Sequence, residues 1–456
     1  MRQTVAVGAG KLTRQLSRWS GRGGSTLPGR VVLALEPDFL RRMAAQVGTG
    51  SLLVTGTNGK TTTANLLAGM LRRGHRVCHN AAGANLLVGL TTAFLTECDP
   101  WGRLRAELAV LEVDEATMPR AATELSPVGG VVTNFFRDQL DRYGELEHSV
   151  ELVRRGLAHF RPGGFLALNA DDPLVAGLAE GTDLRAVYFG VDDASLGTSR
   201  REHAAEARTC RCGQPLGYRR YFYAHLGHWA CSECGLARPE PAISLRRLRP
   251  RAEGARLTVA TPRGELEFTF PLPGLYNVYN VLGALAAAWA MGEDVPALGR
   301  DLAEYSTVFG RMERLRVRGR EVRLALVKNP VGFNQVLRTL GQERGEQVLV
   351  LAINDRYADG TDVSWLWDVD FEPLAGASSR IIASGIRAAD MALRLKYAGV
   401  PPQRVSVIER PITALERALA GIGAGGVVWV LPTYTALLEL RAEMARRGWA
   451  RRFWRV

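Results

Sequence analysis

The chain has 456 residues, which is enough for two or three domains with well-buried cores. Its net charge of +12 at pH 7 favours anionic partners such as nucleotides, other phosphates, nucleic acid or an acidic membrane surface. No apolar run approaches the roughly 18–20 residues of a membrane span, and the N-terminal stretch lacks the continuous apolar core of a secretory signal. We therefore expect a cytoplasmic protein.

Residues 1–45 are too few to form an independent nucleotide-sugar domain. They contain a basic amphipathic segment, Lys11–Arg22, followed by a glycine-rich stretch. We expect residues 1–45 to form a helix and a loop that pack beside the phosphate-binding motif described next. Gly23 and Gly24 fit either a close approach to a nucleotide or a plain turn.

Residues 54–63, with the sequence VTGTNGKTTT, form the motif around which the chain is organised. A short apolar run that reads as a buried strand precedes them, and a helical pattern follows over Ala64–Arg73. Strand, glycine-bearing turn, lysine-threonine and helix is the order of a phosphate-binding loop. The alternative is an ordinary strand-to-helix turn, since Val54 stands where the usual pattern has glycine.

The chemistry of a phosphate-binding loop gives each of these residue types a role. Gly56 and Gly59 allow the backbone to fold closely around oxyanions, and the N–H groups of the following helix face the phosphates. We expect Lys60 to be a solvent-facing loop residue that reaches the β- and γ-phosphates, and the Thr61 hydroxyl to bind Mg²⁺. The predicted ATP contacts in the loop are Thr55, Gly56, Thr57, Asn58, Gly59, Lys60, Thr61 and Thr62.

Later strands run into acidic or amide side chains. Residues 109–115 read AVLEVDE, and we predict that Glu112 binds Mg²⁺, with Glu115 as the second candidate. Residues 131–134 and 165–173 change from apolar to polar in the same way. Strands that alternate with helices, with polar residues at their carboxyl ends, predict an α/β fold with a doubly wound, mainly parallel sheet.

Four of the six cysteines form two pairs, CRCG at 210–213 and CSECG at 231–235, which is typical of a zinc ribbon. The predicted Zn²⁺ ligands are Cys210, Cys212, Cys231 and Cys234, and four thiolates imply a structural role because they leave no open position. The first pair is C-x-C instead of C-x₂-C. The alternatives are a ribbon without metal, or one ligand supplied by His203, His225 or His228. We expect no nucleic-acid partner.

The remaining chain supplies two further candidate regions. Asn277 and Asn280 share one face of a predicted helix over 275–288, where their amides either read an adenine edge or cap a loop. Beyond them, apolar strands at 324–330, 348–355, 381–385 and 427–433 predict a smaller, Rossmann-like parallel α/β domain. A loop at 354–368, NDRYADGTDVSWLWD, carries four aspartates and is either functional or a rigid acidic turn.

In this order, the motifs resemble those of the Mur ligase family, the ATP-dependent enzymes that form amide bonds in cell-wall precursors. That family's central domain carries motifs similar to VTGTNGKTT, a strand-end glutamate, TNxxxDHLDR, LNxDDP and an NxxN helix. The resemblance implies that Arg311, in FGRMER, meets the nucleotide phosphates. Gln139 stands where the family has a metal-binding histidine, and its carbonyl can still serve Mg²⁺. No lysine lies between Lys60 and Lys328, so the family's carbamoylated lysine is absent or replaced.

The cysteine ribbon and the acidic loop together resemble a narrower family, the MurT subunits of lipid II isoglutaminyl synthase. This resemblance implies a heterodimer with a GatD-type class I glutaminase, and lipid II as the substrate at the inner membrane face. It adds a peripheral location at that face as an alternative to a purely cytoplasmic one. The implied reaction amidates the α-carboxylate of D-glutamate to D-isoglutamine through an acyl phosphate. It also implies that an aspartate of this chain completes the partner's Cys–His site: Asp355 first, then Asp359 or Asp362.

The absence of a G-x-C-x-G nucleophile elbow agrees with an external ammonia source. Two other functions remain as alternatives: a Mur-type amino-acid or peptide ligase that acts alone, and a non-enzymatic ATP-dependent binding protein. We divide the chain into an N-terminal segment at 1–45, an ATP-binding central domain at 46–312 and a C-terminal α/β domain at 313–456. The ribbon is inserted in the central domain at about 203–240.

Overall fold

The computed structural model describes residues 2–19, 24–81, 83–138, 146–200, 202, 205–251, 254–299, 301–304, 311–341, 345–377, 379–423 and 425–450. They fall into two compact units, which are described separately. Unit 1 takes the described residues of Met1–Phe136, Glu145–Arg201 and Ala205–Tyr305. Unit 2 takes those of Arg137–Gly144, Glu202–Ala204 and Ser306–Val456.

Three helices open unit 1: α1 (Arg2–Trp19), α2 (Leu27–Leu35) and α3 (Phe39–Ala44). A proline in the first turn favours the start of α2, because an N–H group at that position would have no intrahelical partner, so proline loses no hydrogen bond there. Ala6, Val7 and Val32 are fully buried and join the same apolar core as Phe94. The segment expected to be one helix and a loop is therefore three helices.

The central sheet of unit 1 has nine strands in the order β11-β10-β9-β6-β5-β4-β1-β3-β2. The strands from β2 to β9 in this order are parallel, and the β9–β10–β11 edge is antiparallel. Their bounds are β1 Gly50–Thr55, β2 Val77–His79, β3 Leu108–Glu112, β4 Gly129–Val132, β5 Phe165–Asn169, β6 Arg185–Val191, β9 Ile243–Pro250, β10 Ala255–Thr261 and β11 Gly264–Phe270. The predicted mainly parallel α/β fold is confirmed, and the strand expected at 109–115 ends at Glu112.

Helices accompany the parallel strands, as crossover connections require. They are α4 (Lys60–Leu71), α5 (Leu87–Glu97), α6 (Met118–Leu125), α7 (Leu146–Leu157), α8 (Pro173–Ala176), α9 (Leu275–Ala290) and α10 (Val295–Leu298). The predicted helix at 275–288 corresponds to α9, which is buried along most of its length. The antiparallel hairpin β7 (Gly217–Tyr223) and β8 (Leu226–Ala230) lies between the two cysteine pairs.

Unit 2 contains a six-stranded sheet in the order β12-β13-β17-β14-β15-β16. Only the β12–β13 pair is antiparallel. The strands are β12 Arg311–Val317, β13 Arg320–Ala325, β14 Gln347–Ala352, β15 Arg380–Ser384, β16 Val405–Val407 and β17 Val427–Pro432, with helices α11 Pro330–Gly341, α12 Ala388–Tyr397, α13 Pro411–Ala420 and α14 Tyr434–Arg446. The strand expected at 324–330 ends at Ala325, because Pro330 opens a helix instead.

Within the described part of the chain, no helix combines the length and the apolarity needed to cross a membrane.

Candidate nucleotide and metal site

The loop between β1 and α4 in unit 1 requires glycine at two positions. Gly56 and Gly59 have φ of +118° and +88°, in the region that glycine tolerates best. A Cβ on Gly59 would lie 2.0 Å from Asn280 Oδ1, and one on Gly56 would lie 2.4 Å from Thr133 Oγ1. Thr133 and Asn280 therefore lie so close to the loop that neither glycine position has room for a side chain.

The residues after β4 hold this loop in one conformation. The Thr133 hydroxyl donates to the Asn58 carbonyl at 2.8 Å, and the Asn58 N–H donates to Asn134 Oδ1 at 2.9 Å. The Thr57 N–H donates to the Asn134 carbonyl at 2.8 Å, and the Phe136 N–H donates to the Thr57 hydroxyl at 3.0 Å. The loop is thus preorganised, and the sequence reading of 133–134 as a strand end missed this role.

Lys60 is the first residue of α4, and its solvent exposure differs from the expectation. It is 7% exposed, so the expectation of a solvent-facing loop residue was wrong. Its Nζ donates to the Gly56 carbonyl at 2.6 Å and pairs with Glu115 Oε2 at 2.9 Å. Burial alone lowers the pKa of Lys60, but the carboxylates of Glu115, Asp114 and Glu112 together outweigh burial and raise the pKa above its ordinary value. A fixed, protonated ammonium therefore lies at the phosphate loop.

The two carboxylate oxygens of Glu112, at the end of β3, differ in their hydrogen bonding. Asn85 Nδ2 donates to Oε1 at 3.1 Å, whereas the buried Oε2 has no hydrogen-bond partner among the described residues. A Cβ on Gly83 would lie 3.3 Å from both Glu112 Oε2 and Thr61 Oγ1, so these two oxygens border the same small space. An orphaned buried carboxylate oxygen near a threonine hydroxyl fits a hard divalent cation.

Asn277 and Asn280 of α9 act within the protein. Asn277 Nδ2 donates to the Pro273 carbonyl at 2.7 Å, which holds the start of the helix. Asn280 Oδ1 accepts from the Thr63 hydroxyl at 3.4 Å and lies against Gly59. Of the two expected roles, these contacts match loop capping, and a contact with adenine stays a prediction. Gln139 and the side chain of Arg311 lie outside the described residues.

The four ribbon cysteines come together in space. Cys210 Sγ lies 3.5 Å from Cys234 Sγ, and Cys212 Sγ lies 3.6 Å from Cys231 Sγ. All four sulfurs lie within 4.8 Å of one another, and no histidine of the described chain joins this group. Four sulfurs around a tetrahedral Zn²⁺ at about 2.3 Å would be about 3.8 Å apart. The donor set and its spacing therefore fit Zn²⁺.

The ribbon hairpin is anchored to the ends of β5 and β6. Asp171 Oδ2 accepts from the Tyr279 hydroxyl at 2.5 Å, and Oδ1 pairs with Arg238 Nε at 2.5 Å. The Trp229 indole donates to the Ala170 carbonyl at 3.0 Å. Burial raises the pKa of Asp171, although Arg238 opposes this effect. Since Tyr279 precedes Asn280 on α9, the ribbon and the phosphate loop are braced by the same helix.

In unit 2, the three candidate aspartates of the acidic loop have different surroundings. Asp355 pairs with Arg387 at 2.7 Å near the surface. Asp359 is 5% exposed and accepts from the Thr435 N–H at 2.7 Å and from the Arg356 N–H at 3.2 Å. Asp362 accepts from the N–H and hydroxyl of Ser364 at 2.8 and 2.9 Å. The carboxylates of Asp359 and Asp362 therefore stabilise the loop, whereas Asp355, whose side chain is 20% exposed, is held by Arg387 of another segment.

Several exposed apolar side chains lie in the acidic loop and on the segments next to it. Tyr357 is 85% exposed and lies in the same loop, and Ile386 is 54% exposed beside Arg387. Trp367 and Tyr397 are both exposed and stack edge-on, with ring centroids 5.5 Å apart. Exposed aromatic groups beside a charged residue are typical of a protein-binding surface.

Comparison with known proteins agrees with this geometry. The Mur ligase middle domain model matches residues 54–213, and the MurT ligase C-terminal model matches residues 326–437. The structure of a pseudomurein peptide ligase type C from Methanothermus fervidus is similar, with a TM-score of 0.70 and 24% identity over 88% of this chain and 79% of that one. The fold and the phosphate loop together define the class of Mur-type ATP-dependent ligases.

Two curated relatives narrow this class. The chain is 34% identical over 449 residues, 98% of both chains, to the protein named lipid II isoglutaminyl synthase (glutamine-hydrolyzing) subunit MurT from Staphylococcus aureus (strain COL). It is 33% identical over 452 residues, again 98% of both, to the protein of the same name from Streptococcus pneumoniae (strain ATCC BAA-255 / R6). The chain therefore belongs to the MurT family.

Proposed function

We propose that this chain is the ATP-dependent synthetase subunit of a lipid II isoglutaminyl synthase. It converts the α-carboxylate of D-glutamate in the lipid II stem peptide to an amide, and D-isoglutamine is the product. ATP transfers its γ-phosphoryl group to the carboxylate, and ammonia displaces phosphate from the resulting acyl phosphate. The observation that carries the proposal is a preorganised phosphate loop, with a buried lysine and an orphaned glutamate oxygen, in a member of the MurT family that matches its relative over 98% of both chains.

Each residue of the loop has a role in this proposal. The N–H groups at the start of α4 and the Lys60 ammonium bind the phosphates, and Asn134 keeps the loop in its binding conformation. Thr61 and Glu112 would hold Mg²⁺, which neutralises phosphate charge when it is bound. We also propose that the Asn277–Asn280 face borders the nucleotide, and that Gln139 and Arg311 complete the metal and phosphate contacts.

Ammonia must come from another protein in this proposal. Free ammonia is mostly protonated at neutral pH, so a tethered glutaminase supplies it more effectively. We propose a GatD-type glutaminase that docks on the unit 2 surface formed by Tyr357, Trp367, Ile386 and Tyr397. Asp355, which is in the same loop as Tyr357 and pairs with Arg387 next to Ile386, is our candidate for the residue that completes the partner's Cys–His site. The domain boundaries predicted above remain part of the proposal.

The first prediction concerns the metal site. Glu112→Gln keeps the size and the Asn85 contact of the side chain but removes its charge. We expect ATP-dependent amidation to fall by about a hundredfold or more, because a carboxylate ligand of Mg²⁺ is lost. The measurement is a Mg²⁺ titration of activity, in which the variant should require much more metal. An unchanged Mg²⁺ requirement would remove Glu112 from the metal site.

The second prediction concerns the ribbon. Purified protein should contain about one Zn²⁺ per chain, and Cys231→Ser should lose it with a lower melting temperature. The dissociation constant for ATP should change by less than about threefold, because the ribbon has a structural role. Ser232→Ala, which changes the adjacent side chain only, is the control. Native protein without zinc would contradict the assignment.

The test of the function uses the purified chain without a partner. With ATP, Mg²⁺, lipid II and ammonium at high pH, we expect amidated lipid II. The alternative of a stand-alone ligase predicts instead that an amino acid is joined to the substrate without ammonium. Mass spectrometry of the product distinguishes the two reactions, and a lack of ATP turnover with either nucleophile would favour a non-enzymatic binding protein.

A further inference from the structure

The side chain of Asn80 extends the pairing between strands β2 and β3 by one step. The backbone pairing of these strands ends at His79, which lies opposite Val110. Beyond that point, Asn80 Oδ1 accepts from the Glu112 N–H at 2.9 Å, and Asn80 Nδ2 donates to the Glu112 carbonyl at 2.8 Å. The side-chain amide therefore takes the place of a peptide group, and its partner is the backbone of the candidate metal ligand.

Asn80 also holds the turn that borders the space beside Glu112 Oε2. Its Nδ2 donates to the Ala84 carbonyl at 3.0 Å, and its backbone carbonyl accepts from the Gly83 N–H at 2.9 Å. Gly83 has a φ of +72°, and a Cβ on it would lie 3.3 Å from both Glu112 Oε2 and Thr61 Oγ1. Asn80 is 6% exposed, and it joins two borders of this small space: the Glu112 backbone and the turn that contains Gly83.

The carboxylate of Glu112 is held by a different residue. Asn85 Nδ2 donates to Oε1 at 3.1 Å, and the Asn85 carbonyl accepts from the Asp114 N–H at 3.1 Å. Asn80 thus fixes the backbone of Glu112, and Asn85 fixes its side chain. A metal ligand keeps a productive geometry only when the groups around it hold both its backbone and its rotamer.

We propose that Asn80 is a positioning residue for the divalent cation of the ATP site, and that it acts through Glu112. Its amide is bonded to backbone groups of Glu112 and Ala84, so it holds the metal ligand instead of serving as one. Without this amide, the N–H and carbonyl of Glu112 would lose their partners and the end of β3 would shift. The inference rests on the proposed function, because it takes Glu112 as the metal ligand.

The test uses the full chain without a partner and a non-hydrolysable ATP analogue. Its readout is the metal ratio, which is the Kd for the analogue in EDTA divided by the Kd with saturating Mn²⁺. We expect a metal ratio well above one for the wild type. Asn80→Ala should lower it about tenfold, because groups that hold a metal ligand contribute about 10–100-fold to metal affinity. The Kd in EDTA should change by less than about threefold, whereas a merely structural role would weaken both Kd values alike.

Asn334→Ala is the matched control for this variant. Asn334 is 3% exposed in unit 2, and its Oδ1 likewise accepts from a backbone N–H, that of Asp370, at 2.9 Å. The control should lower the unfolding midpoint, as Asn80→Ala does, without changing the metal ratio. Asn80→Ser leaves a smaller cavity and should also lower the metal ratio, so it replaces Asn80→Ala if that variant does not fold.

A double-mutant cycle with Glu112→Gln distinguishes the outcomes. If Asn80 acts through Glu112, Asn80→Ala should have little further effect on the metal ratio in the Glu112→Gln background. Additive effects, or an unchanged metal ratio in the Asn80 variants, would overturn this inference and leave the Glu112 metal site in place. An unchanged metal ratio in Glu112→Gln alone would overturn both. None of these measurements depends on amidation, so the identity of the reaction is tested separately.

Discussion

Lys60→Ala should reduce ATP-dependent amidation by about a thousandfold or more, because the variant loses a fixed positive charge at the transferred phosphoryl group. It should also lower the free energy of unfolding. Lys60 and Glu115 are both 8% exposed in their side chains, and removal of one member of a buried pair costs about 3–5 kcal/mol. The measurements are the amidation rate with ammonium and the unfolding midpoint in denaturant.

A second variant separates the two effects of this substitution. Lys60→Met together with Glu115→Gln removes both charges and nearly preserves the volume of the pair, so it should recover most of the lost stability. Activity should remain absent, because no ammonium reaches the phosphates. If the double variant is stable and active, Lys60 has only a structural role and the phosphate-loop assignment is wrong.

Asp355→Asn should reduce glutamine hydrolysis by the reconstituted complex by several orders of magnitude. If Asp355 orients the partner's histidine, the amide no longer stabilises the imidazolium, although the side chain keeps its size. Amidation driven by added ammonium should survive, because the ATP site lies in the other unit. The complex should still assemble, and gel filtration with both activity assays measures all three properties.

Asp362→Asn is the matched control for this prediction. It lies in the same loop, and its carboxylate accepts hydrogen bonds from Ser364 inside the loop. We expect glutamine hydrolysis close to wild type. If Asp355→Asn leaves glutaminase activity intact, the role passes to Asp359 or Asp362. If all three variants keep it, this chain donates no catalytic aspartate to its partner.

The sequence alone was sufficient to predict features that depend on residues close together in the chain. The order of strand, glycine turn, lysine-threonine and helix around Gly56 and Gly59 predicted the phosphate loop, and both glycines have positive φ. The two cysteine pairs predicted a four-sulfur cluster, and the sulfurs of Cys210 and Cys234 do lie side by side. These patterns are informative because turn geometry and metal-ligand spacing depend on residues that are close in the chain.

The sequence alone was insufficient to predict contacts between residues that are far apart in the chain. Lys60 was expected in solvent because its own neighbourhood is a polar loop, but Glu115, 55 residues later, buries it in an ion pair. The clamp of Asn134 on Asn58 and the contact of Asn280 with Gly59 are equally non-local.

The most direct test of the central claim is the transfer of nitrogen from glutamine to lipid II. The chain is combined with a neighbouring-gene glutaminase, ATP, Mg²⁺, lipid II and glutamine labelled at its amide nitrogen. Our account predicts that the label appears in the α-amide of D-isoglutamine, and that omission of ATP or of either protein abolishes it. Unlabelled lipid II from an assembled complex that hydrolyses both ATP and glutamine would contradict the account.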